Sequence, residues 1–436
     1  MLKANRQELM PGVNLTTVRT RKFKTNLLSA QMMLPLKKDT ASLNAILPKV
    51  LRRGTARYPD MESLSAALDS LYGASAAVGI RKRGEVQCIG FRSMCIDDKY
   101  ALRGETLLDE LTLLLCDLLL RPATRNGRFY SEYVASERDN LLRQIEAEKN
   151  EKRSYALLQL IRHMCRKEAF GVPSLGKKET ASAITGKKLF THYNQILSAA
   201  PIEFFYCGSA PEEQIASTIL KGFHGLPRAK EQMTPETLLG EKANCDCDIQ
   251  NPIVEEMDVA QARLAIGCRT GTAVWDELFP ALMLLNAALG GTVTSKLFVN
   301  VREKLSLCYE VGTLLEKQKG LLVISAGIAP ENYDLAMSEI MTQLDDARSG
   351  KFTEGELVSA KQMLISSLKG VLDSQNRLED FYVSQLSAGL LSGPEDLVRQ
   401  LDRVTPEQIR EVGSRIQVDT IYFLKRREGA NENKLL

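Results

Sequence analysis

The sequence predicts an α+β fold with two homologous α/β-roll domains, in each of which helices pack against one face of a mostly antiparallel sheet. The chain has 436 residues, more than one ordinary hydrophobic core accommodates. The order strand, helix pair, hairpin, long helices and strand occurs twice, which indicates an internal repeat. Between the two occurrences, residues 226–252 contain Pro, Gly, Lys and Glu without a sustained hydrophobic period, as is typical of a linker. We therefore expect domains at 1–225 and 253–436.

Periodicity and turn residues define the elements of the first half. Residues 14–35 alternate apolar and polar side chains, which predicts a strand or hairpin. Asp39 and Thr40 are suited to cap a helix that ends at Gly54, and a second amphipathic helix follows and ends at Gly73. The remaining predicted elements are a hairpin that turns at Arg83 and Gly84, helices near 104–120 and 129–150, a strand at 202–208 and a helix at 211–222.

The second half repeats this plan after the linker. Its hairpin is the clearest element, because two apolar runs flank a turn at Lys319 and Gly320. The predicted elements are a strand at 261–270, helices at 277–289 and 295–303, the hairpin over 308–328, helices near 332–349 and 353–372, and a closing strand at 420–424.

Composition and charge exclude several classes of function. The chain is 44% hydrophobic and 25% charged, as expected for a globular protein. Its 57 basic and 54 acidic residues leave a net charge of +3, which gives no argument for a nucleic-acid partner. The N-terminal residues lack an apolar run, and the longest apolar stretch, near 111–120, is much shorter than the ~20 residues of a membrane span. We expect a cytoplasmic protein without a membrane partner.

The cysteines and histidines do not form a recognisable metal pattern. The nine cysteines are scattered and odd in number, so a reducing cytoplasm is a simpler interpretation than a disulfide framework. Cys245 and Cys247 are the only close pair; they form either a metal site or, in the simpler interpretation, part of a surface linker. His163, His192 and His224 are far apart in the sequence, so each is expected to be structural or exposed.

Residues 45–55 read A-I-L-P-K-V-L-R-R-G-T and lack the ligands of an inverted zinc motif. That motif, H-x-x-E-H, places two imidazoles on one helical face to bind the metal and a carboxylate between them as general base. The three equivalent positions here are Ala45, Pro48 and Lys49. A methyl group and a pyrrolidine ring offer no ligand, and an ammonium group repels a dication, so no metal is expected in this chain. An interior proline costs ~3 kcal/mol unless the helix kinks, which predicts a locally altered helix.

This stretch resembles the signature of the pitrilysin/insulinase peptidases, and further segments extend the resemblance over most of the chain. Residues 137–146, E-R-D-N-L-L-R-Q-I-E, resemble the family helix whose last glutamate is the third zinc ligand. Gln144 holds that position here, unless the register shifts by two residues and offers Glu146. Residues 170–185 resemble a structural stretch between two helices of the first half. The amino-acid sequence of the first half is similar to that of the metal-free member of the two-gene peptidase pairs of Gram-positive bacteria.

The segment 289–311 resembles the second-half signature of the same family. It contains the pair Gly290 and Gly291, followed by S-K-L-F and R-E-K. It also keeps the R-x6-Y spacing, from Arg302 to Tyr309. The resemblance implies that Arg302 and Tyr309 bind the backbone of a peptide substrate and that the glycine pair forms a loop touching it.

The resemblance implies a catalytically inactive, zinc-free subunit of a heterodimeric zinc metallopeptidase that processes peptides or leader peptides. The zinc and the H-x-x-E-H motif would belong to a homologous partner subunit. The alternative is a non-proteolytic scaffold or peptide-binding homodimer of the same fold. In that case Arg302 pairs with Glu303 or solvent, Tyr309 is a core aromatic at the rim, and the glycine pair is a helix C-cap. An autonomous peptidase is disfavoured, because the chain also lacks a nucleophile motif such as G-x-S-x-G.

Overall fold

The computed structural model describes residues 3–226, 228–236 and 251–427. The chain divides into two compact units, each assembled from three stretches of sequence. We call them unit 1 (Met1–Glu146, Val172–Glu236 and Val371–Gly393) and unit 2 (Ala147–Gly171, Thr237–Gly370 and Pro394–Leu436). Cys245, Cys247 and residues 237–250 of the predicted linker lie outside the described residues. The sequence boundaries at 225 and 253 remain a prediction.

Helices and strands alternate along both halves of the sequence. The first half contains β1 (Ala4–Met10), β2 (Val13–Arg19), β3 (Thr25–Pro35), α1 (Ala41–Leu51), α2 (Met61–Ser70), β4 (Ser75–Arg83), β5 (Val86–Ile96), α3 (Leu107–Leu120), β6 (Thr124–Arg125), β7 (Arg128–Phe129), α4 (Ser131–Ala147), α5 (Lys152–Met164), α6 (Lys178–Ser182), α7 (Gly186–Ala199), β8 (Ile202–Gly208) and α8 (Glu212–Gly222). The second half contains β9 (Ile253–Met257), β10 (Ala262–Arg269), α9 (Phe279–Asn286), β11 (Cys308–Glu316), β12 (Leu321–Ile328), α10 (Tyr333–Arg348), α11 (Glu354–Val371), α12 (Gln375–Leu386), α13 (Pro394–Asp402), α14 (Pro406–Ser414) and β13 (Gln417–Arg426). Two π-helical segments, Ala287–Gly291 and Phe298–Lys304, lie between α9 and β11.

Unit 1 is built on a six-stranded sheet with the strand order β1-β2-β8-β3-β5-β4. All its pairs are antiparallel except β2 with β8. The central strand β3 is buried along its length, apart from its two end residues, because both of its faces are covered. One face and helices α1, α3, α7 and α8 enclose the main hydrophobic core, whose apolar side chains supply most of the folding free energy.

Unit 2 repeats the topology of unit 1. Its sheet has the order β11-β12-β10-β13-β9, with β9 and β13 parallel and the other pairs antiparallel. Strands β9, β13, β10, β12 and β11 therefore correspond to β2, β8, β3, β5 and β4. This correspondence confirms the predicted fold of two homologous α+β domains with mostly antiparallel sheets.

The second face of each sheet is covered by a helix that comes from the other half of the sequence. In unit 1, α12 packs on β3 and β8, and its Val383 joins a cluster with Met33, Val86 and Cys88. In unit 2, α5 packs on β10 and β13 through apolar side chains such as Leu160. Helices therefore lie on both faces of each sheet, whereas the sequence predicts only one covered face. Hydrophobic periodicity shows that a helix has an apolar side, but it does not show which sheet receives that side.

Ionic contacts accompany the packing of α12. The fully buried carboxylate of Glu379 accepts hydrogen bonds from Arg81 on β4, at 2.6 and 2.8 Å, and from Arg92 on β5 at 2.5 Å. Asp380 pairs with Arg81 and Arg83. Because a buried charge is stable only when it is paired, these contacts favour one placement of α12 on the sheet.

The sequence predicts that two glycines end helices, and the structure agrees for one of them. Gly73 has φ +72° after α2, as expected for a glycine that ends a helix. The prediction that α1 ends at Gly54 is wrong: α1 ends at Leu51, and the φ of Gly54 is not positive. Gly54 is required for close packing, since a Cβ there would lie 2.4 Å from the carbonyl oxygen of Pro59. Thr40 is the N-cap of α1, but its side chain makes no capping hydrogen bond.

No helix among residues 3–226, 228–236 and 251–427 combines the length and the apolar character needed to cross a membrane.

Candidate functional site

Helix α1 carries the positions of the two imidazole ligands, Ala45 and Lys49, and that of the general base, Pro48, while Gln144 on α4 holds the position of the third ligand. Helix α1 is almost entirely buried, and Ala45 and Pro48 lie in the part of the helix that packs into unit 1. Pro48 does not end the helix, which continues to Leu51 and closes with a hydrogen bond from the Arg52 amide to the Pro48 carbonyl at 3.1 Å. The burial of α1 offsets the amide hydrogen bond that proline cannot make.

Lys49 and Gln144 meet where α1 and α4 approach each other. The ammonium group of Lys49 donates a hydrogen bond of 2.6 Å to Oε1 of Gln144. Partial burial lowers the pKa of Lys49, and the nearby carboxylate of Glu137 opposes this shift. Glu146, the other possible residue for the third position, pairs instead with Lys178 at 2.5 Å. The structure thus places Gln144, and not Glu146, beside the α1 positions.

The carboxylate of Glu137, which acts electrostatically on Lys49, is already engaged. Glu137 is buried and accepts a hydrogen bond of 2.6 Å from Nε of Arg53 and one of 3.2 Å from Asn140. This carboxylate therefore balances the charge of its arginine partner.

The side chains at these positions do not fit zinc. Zinc sites use nitrogen, sulfur or carboxylate oxygen atoms from at least three side chains. Ala45 and Pro48 have no such atom, Lys49 acts as a hydrogen-bond donor, and Gln144 offers one amide oxygen that this lysine occupies. Elsewhere in the part of the chain that the structure describes, no group of three or more His, Cys, Asp or Glu side chains could hold a metal ion.

A network of buried hydrogen bonds connects α1 to α7 and β5. Nε2 of His192 on α7 lies 2.6 Å from Oδ1 of Asn44, and the amide nitrogen of Asn44 donates to Oε1 of Gln87 on β5 at 2.9 Å. Gln87 in turn donates to the carbonyl oxygens of Ala41 and Ser174. Burial lowers the pKa of His192 to about 4, so its ring is neutral and structural at neutral pH.

Arg302 lies in the second π-helical segment of unit 2. Its guanidinium group lies 4.6 Å from the ring centre of Phe298, one turn earlier, and Nε is 3.7 Å from Glu303. The side chain remains 42% exposed. π-Helical turns are frequent at functional sites because they re-aim side chains. Arg302 is therefore partly ordered by its own segment while its donors remain accessible.

Tyr309 projects from a bulge at the start of β11. Cys308 pairs with Ile328 and Glu310 pairs with Gly327, so Tyr309 is an extra residue between two adjacent partners. Its side chain is 79% exposed, which rules out the core-aromatic alternative. The chain reaches this bulge through Ser306 at φ +52°, whose amide donates to the Arg302 carbonyl at 3.1 Å. Arg302 and Tyr309 are thus on the two sides of one helix-to-strand turn.

The neighbouring thiol is not a nucleophile. Cys308 is buried, and this burial raises its pKa to about 11, although Arg302 opposes the shift. The thiol is therefore protonated at neutral pH, when only a thiolate would be reactive.

Gly290 and Gly291 end the first π-helical segment. Neither has a positive φ, so the pair does not form the left-handed turn that often ends a helix. A Cβ on Gly290 would lie 2.6 Å from Cγ2 of Thr313 on β11, so this glycine allows the segment to pack against the strand. Gly291 has room for a Cβ, with its closest neighbour at 3.5 Å. Contact of either glycine with a substrate remains a prediction.

The comparisons with known proteins agree with this geometry. The family model described as the peptidase M16 inactive domain matches residues 183–364. A Bacillus subtilis (strain 168) relative described as the probable inactive metalloprotease YmfF is 34% identical over 423 residues, covering 96% of this chain and 97% of the relative. An uncharacterized zinc protease of Mycobacterium bovis is 25% identical over 321 residues, covering 73% of this chain and 69% of that protein. The crystal structure of a conserved protein from Enterococcus faecalis V583 superimposes with a TM-score of 0.86 at 26% identity, covering 98% of this chain and 100% of that chain.

Fold and site together define a protein with a metallopeptidase fold whose metal-ligand positions carry no zinc ligands. The chain belongs to the M16 peptidase family, as an inactive metalloprotease homologue. The resemblance to the pitrilysin/insulinase peptidases seen in the sequence is thereby confirmed.

Proposed function

We propose that this chain is the zinc-free subunit of a heterodimeric zinc metallopeptidase and supplies Arg302 and Tyr309 to peptide binding. The observation that carries the proposal is the helix-to-strand turn of unit 2. It presents two hydrogen-bond donors seven residues apart, one 42% and one 79% exposed. Tyrosine and arginine are enriched at binding interfaces, where a large side chain can make both apolar contacts and hydrogen bonds.

The chemistry divides between two subunits in this proposal. The partner is a homologous subunit with an intact H-x-x-E-H motif, whose histidines would hold a zinc ion; that ion would supply Lewis-acid activation of water, with the glutamate of the motif as general base. This chain contributes the guanidinium group of Arg302 and the hydroxyl of Tyr309. Both are suited to donate to peptide carbonyl oxygens and to the oxyanion that forms during hydrolysis. The substrate is a peptide or a leader peptide in extended form.

We place the complex in the cytoplasm. The supporting observation is that five cysteines of the described residues are free and buried: Cys88, Cys95, Cys116 and Cys207 in unit 1 and Cys308 in unit 2. Thiols without disulfide partners are usual in a reducing compartment.

The test begins with the gene next to this one, which the proposal expects to encode a similar-sized protein with H-x-x-E-H. The two proteins should co-purify, and only the complex should cleave a quenched fluorescent peptide in a chelator-sensitive manner. Arg302→Ala and Tyr309→Phe should leave pairing and thermal unfolding unchanged and lower kcat of the complex ~10²-fold, as for other oxyanion donors. Unchanged kinetics in both well-folded variants would remove the reason for assigning this chain a part in catalysis.

The second candidate is a scaffold or peptide-binding homodimer without a role in hydrolysis. Its support is the contact of Arg302 with the adjacent Glu303 and with Phe298, which suffices to explain an arginine on a helix surface. This candidate expects a homodimer in sedimentation analysis of the purified chain and no gain of peptidase activity when the H-x-x-E-H protein is added.

A further inference from the structure

Tyr309 occupies a position that the sheet alone holds weakly. β11 is the edge strand of its sheet, so it is hydrogen-bonded on one side only. The bulge leaves Tyr309 without a cross-strand partner. A slip of one residue would move every side chain of β11 to the opposite face. A tyrosine that must meet a substrate from this strand needs a separate contact to fix the register.

Glu310, the second residue of the bulge, supplies such a contact. Its carboxylate pairs with Arg263 on β10 and, at 3.1 Å, with Arg153 on α5. The two arginines come from different elements of unit 2, so they hold the carboxylate from two directions.

The arginine on β10 reaches Glu310 across the strand between them. Glu310 and Arg263 both face Gly327 of β12 in the strand register, so the three residues form one row across three strands. Two strand spacings amount to about 10 Å, which the long arginine side chain can bridge. A Cβ on Gly327 would lie 2.6 Å from Nη1 of Arg263. The glycine in the middle of the row therefore leaves the path of the arginine open.

From this row we infer that Glu310 is a positioning residue for Tyr309. Arg263, Arg153 and the bare Gly327 form what we call the Glu310 anchor, which fixes the bulge and hence the direction of the tyrosine hydroxyl. The inference deepens the proposed function and rests on it for the kinetic effect. The anchor itself is a property of this chain and can be measured without the partner subunit.

Two variants disturb the anchor in different ways. Glu310→Gln removes the charge and keeps the shape of the side chain. Gly327→Ala keeps every charge and adds a methyl group in the path of Arg263, displacing only the flexible ends of side chains. Glu256→Gln is the matched control, because Glu256 pairs with Lys425 at 3.3 Å on β9 and β13 at the other edge of the same sheet. Its carboxylate is 42% exposed, against 40% for Glu310.

The first measurement is ¹⁹F NMR of the whole chain labelled with 3-fluorotyrosine. The chain has 12 tyrosines, and Tyr309→Phe identifies the resonance of Tyr309 by its disappearance. This resonance should shift in Glu310→Gln and in Gly327→Ala and stay in place in Glu256→Gln. An unchanged Tyr309 resonance in both anchor variants would refute the anchor.

The second measurement is peptide cleavage by the complex with the H-x-x-E-H subunit. Glu310→Gln should lower kcat/KM by up to about 100-fold, the effect of a misplaced catalytic contact. In the Tyr309→Phe background the same change should have less than about a twofold effect, because the two residues act as one unit. Full additivity would overturn the positioning role. If Tyr309→Phe alone leaves cleavage unchanged, the proposed function fails, while the NMR result still decides whether the anchor exists.

Discussion

Acidification should destabilise the protein through one buried side chain, His192. In the folded state its Nε2 hydrogen donates to Asn44, and burial lowers its pKa to about 4 from the ordinary 6.5. Between these values the unfolded chain binds a proton that the folded chain does not bind. The free energy of unfolding therefore falls as the pH decreases from 6.5 towards 4, and below 4 this side chain causes no further loss.

The magnitude follows from the difference between the folded and unfolded pKa values of His192. A pKa difference of one corresponds to about 1.4 kcal/mol, so His192 should contribute a loss of about 3 kcal/mol across the interval. His192 is 9% exposed, so solvent screens this effect only slightly. The loss is a large fraction of the ~5–15 kcal/mol that stabilises a typical domain.

The measurement is urea unfolding followed by circular dichroism at several values between pH 7.5 and pH 4. His192→Gln is the informative variant, because its amide can donate to Asn44 and does not titrate. The slope of unfolding free energy against pH should be steeper for the parent chain than for His192→Gln by about 1.4 kcal/mol for each step of one in pH. His224→Gln, at an exposed position, should follow the parent chain. Equal slopes for the parent chain and His192→Gln would refute the reasoning.

Three further predictions concern metal content and packing. Elemental analysis of the purified chain should find no stoichiometric zinc, and Ala45→His, Pro48→Glu, Lys49→His and Gln144→Glu together should not give an efficient enzyme, since loss of outer-shell support alone costs ~10–100-fold. Glu379→Gln should lower the free energy of unfolding by about 3–5 kcal/mol, because it leaves two arginines beside a neutral amide, whereas loss of the exposed Glu256 pair should cost less than about 1 kcal/mol. Thermal unfolding should show a loss of about 1–3 kcal/mol for Gly290→Ala, whose methyl group would clash with Thr313, and almost none for Gly291→Ala; equal losses would contradict the packing argument.

The sequence predicts well those features that depend on neighbouring residues. The two hairpins β4–β5 and β11–β12 turn at Gly84 and Gly320, both with positive φ, as their turn residues indicate. The loss of the two zinc ligands at 45 and 49 and of the general base at 48 is also predicted from residue types alone.

Features that depend on distant residues could not be predicted in the same way. The bulge at Tyr309 is set by a register that involves Gly327 and Arg263, which no local pattern reveals. The contact between Lys49 and Gln144 joins residues 95 positions apart, so only the packing of α1 on α4 brings them together. Helices α5 and α12 lie outside the predicted elements, and the sheet that covers the apolar side of each belongs to the other half of the sequence.

Helices α5 and α12 each pack on a sheet built from the other half of the sequence, and this affects folding during synthesis. When the ribosome has synthesised the first half, the apolar side of α5, including Tyr155 and Leu160, has no sheet to cover it until β10 and β13 emerge. The first half also lacks α12, and with it the carboxylate of Glu379 that neutralises Arg81 and Arg92. Neither half therefore contains all the parts of its unit, and we expect a nascent first half to expose apolar side chains until the second half is synthesised. Two fragments divided near residue 225 should be insoluble when produced alone and should reconstitute the native protein when produced in the same cell.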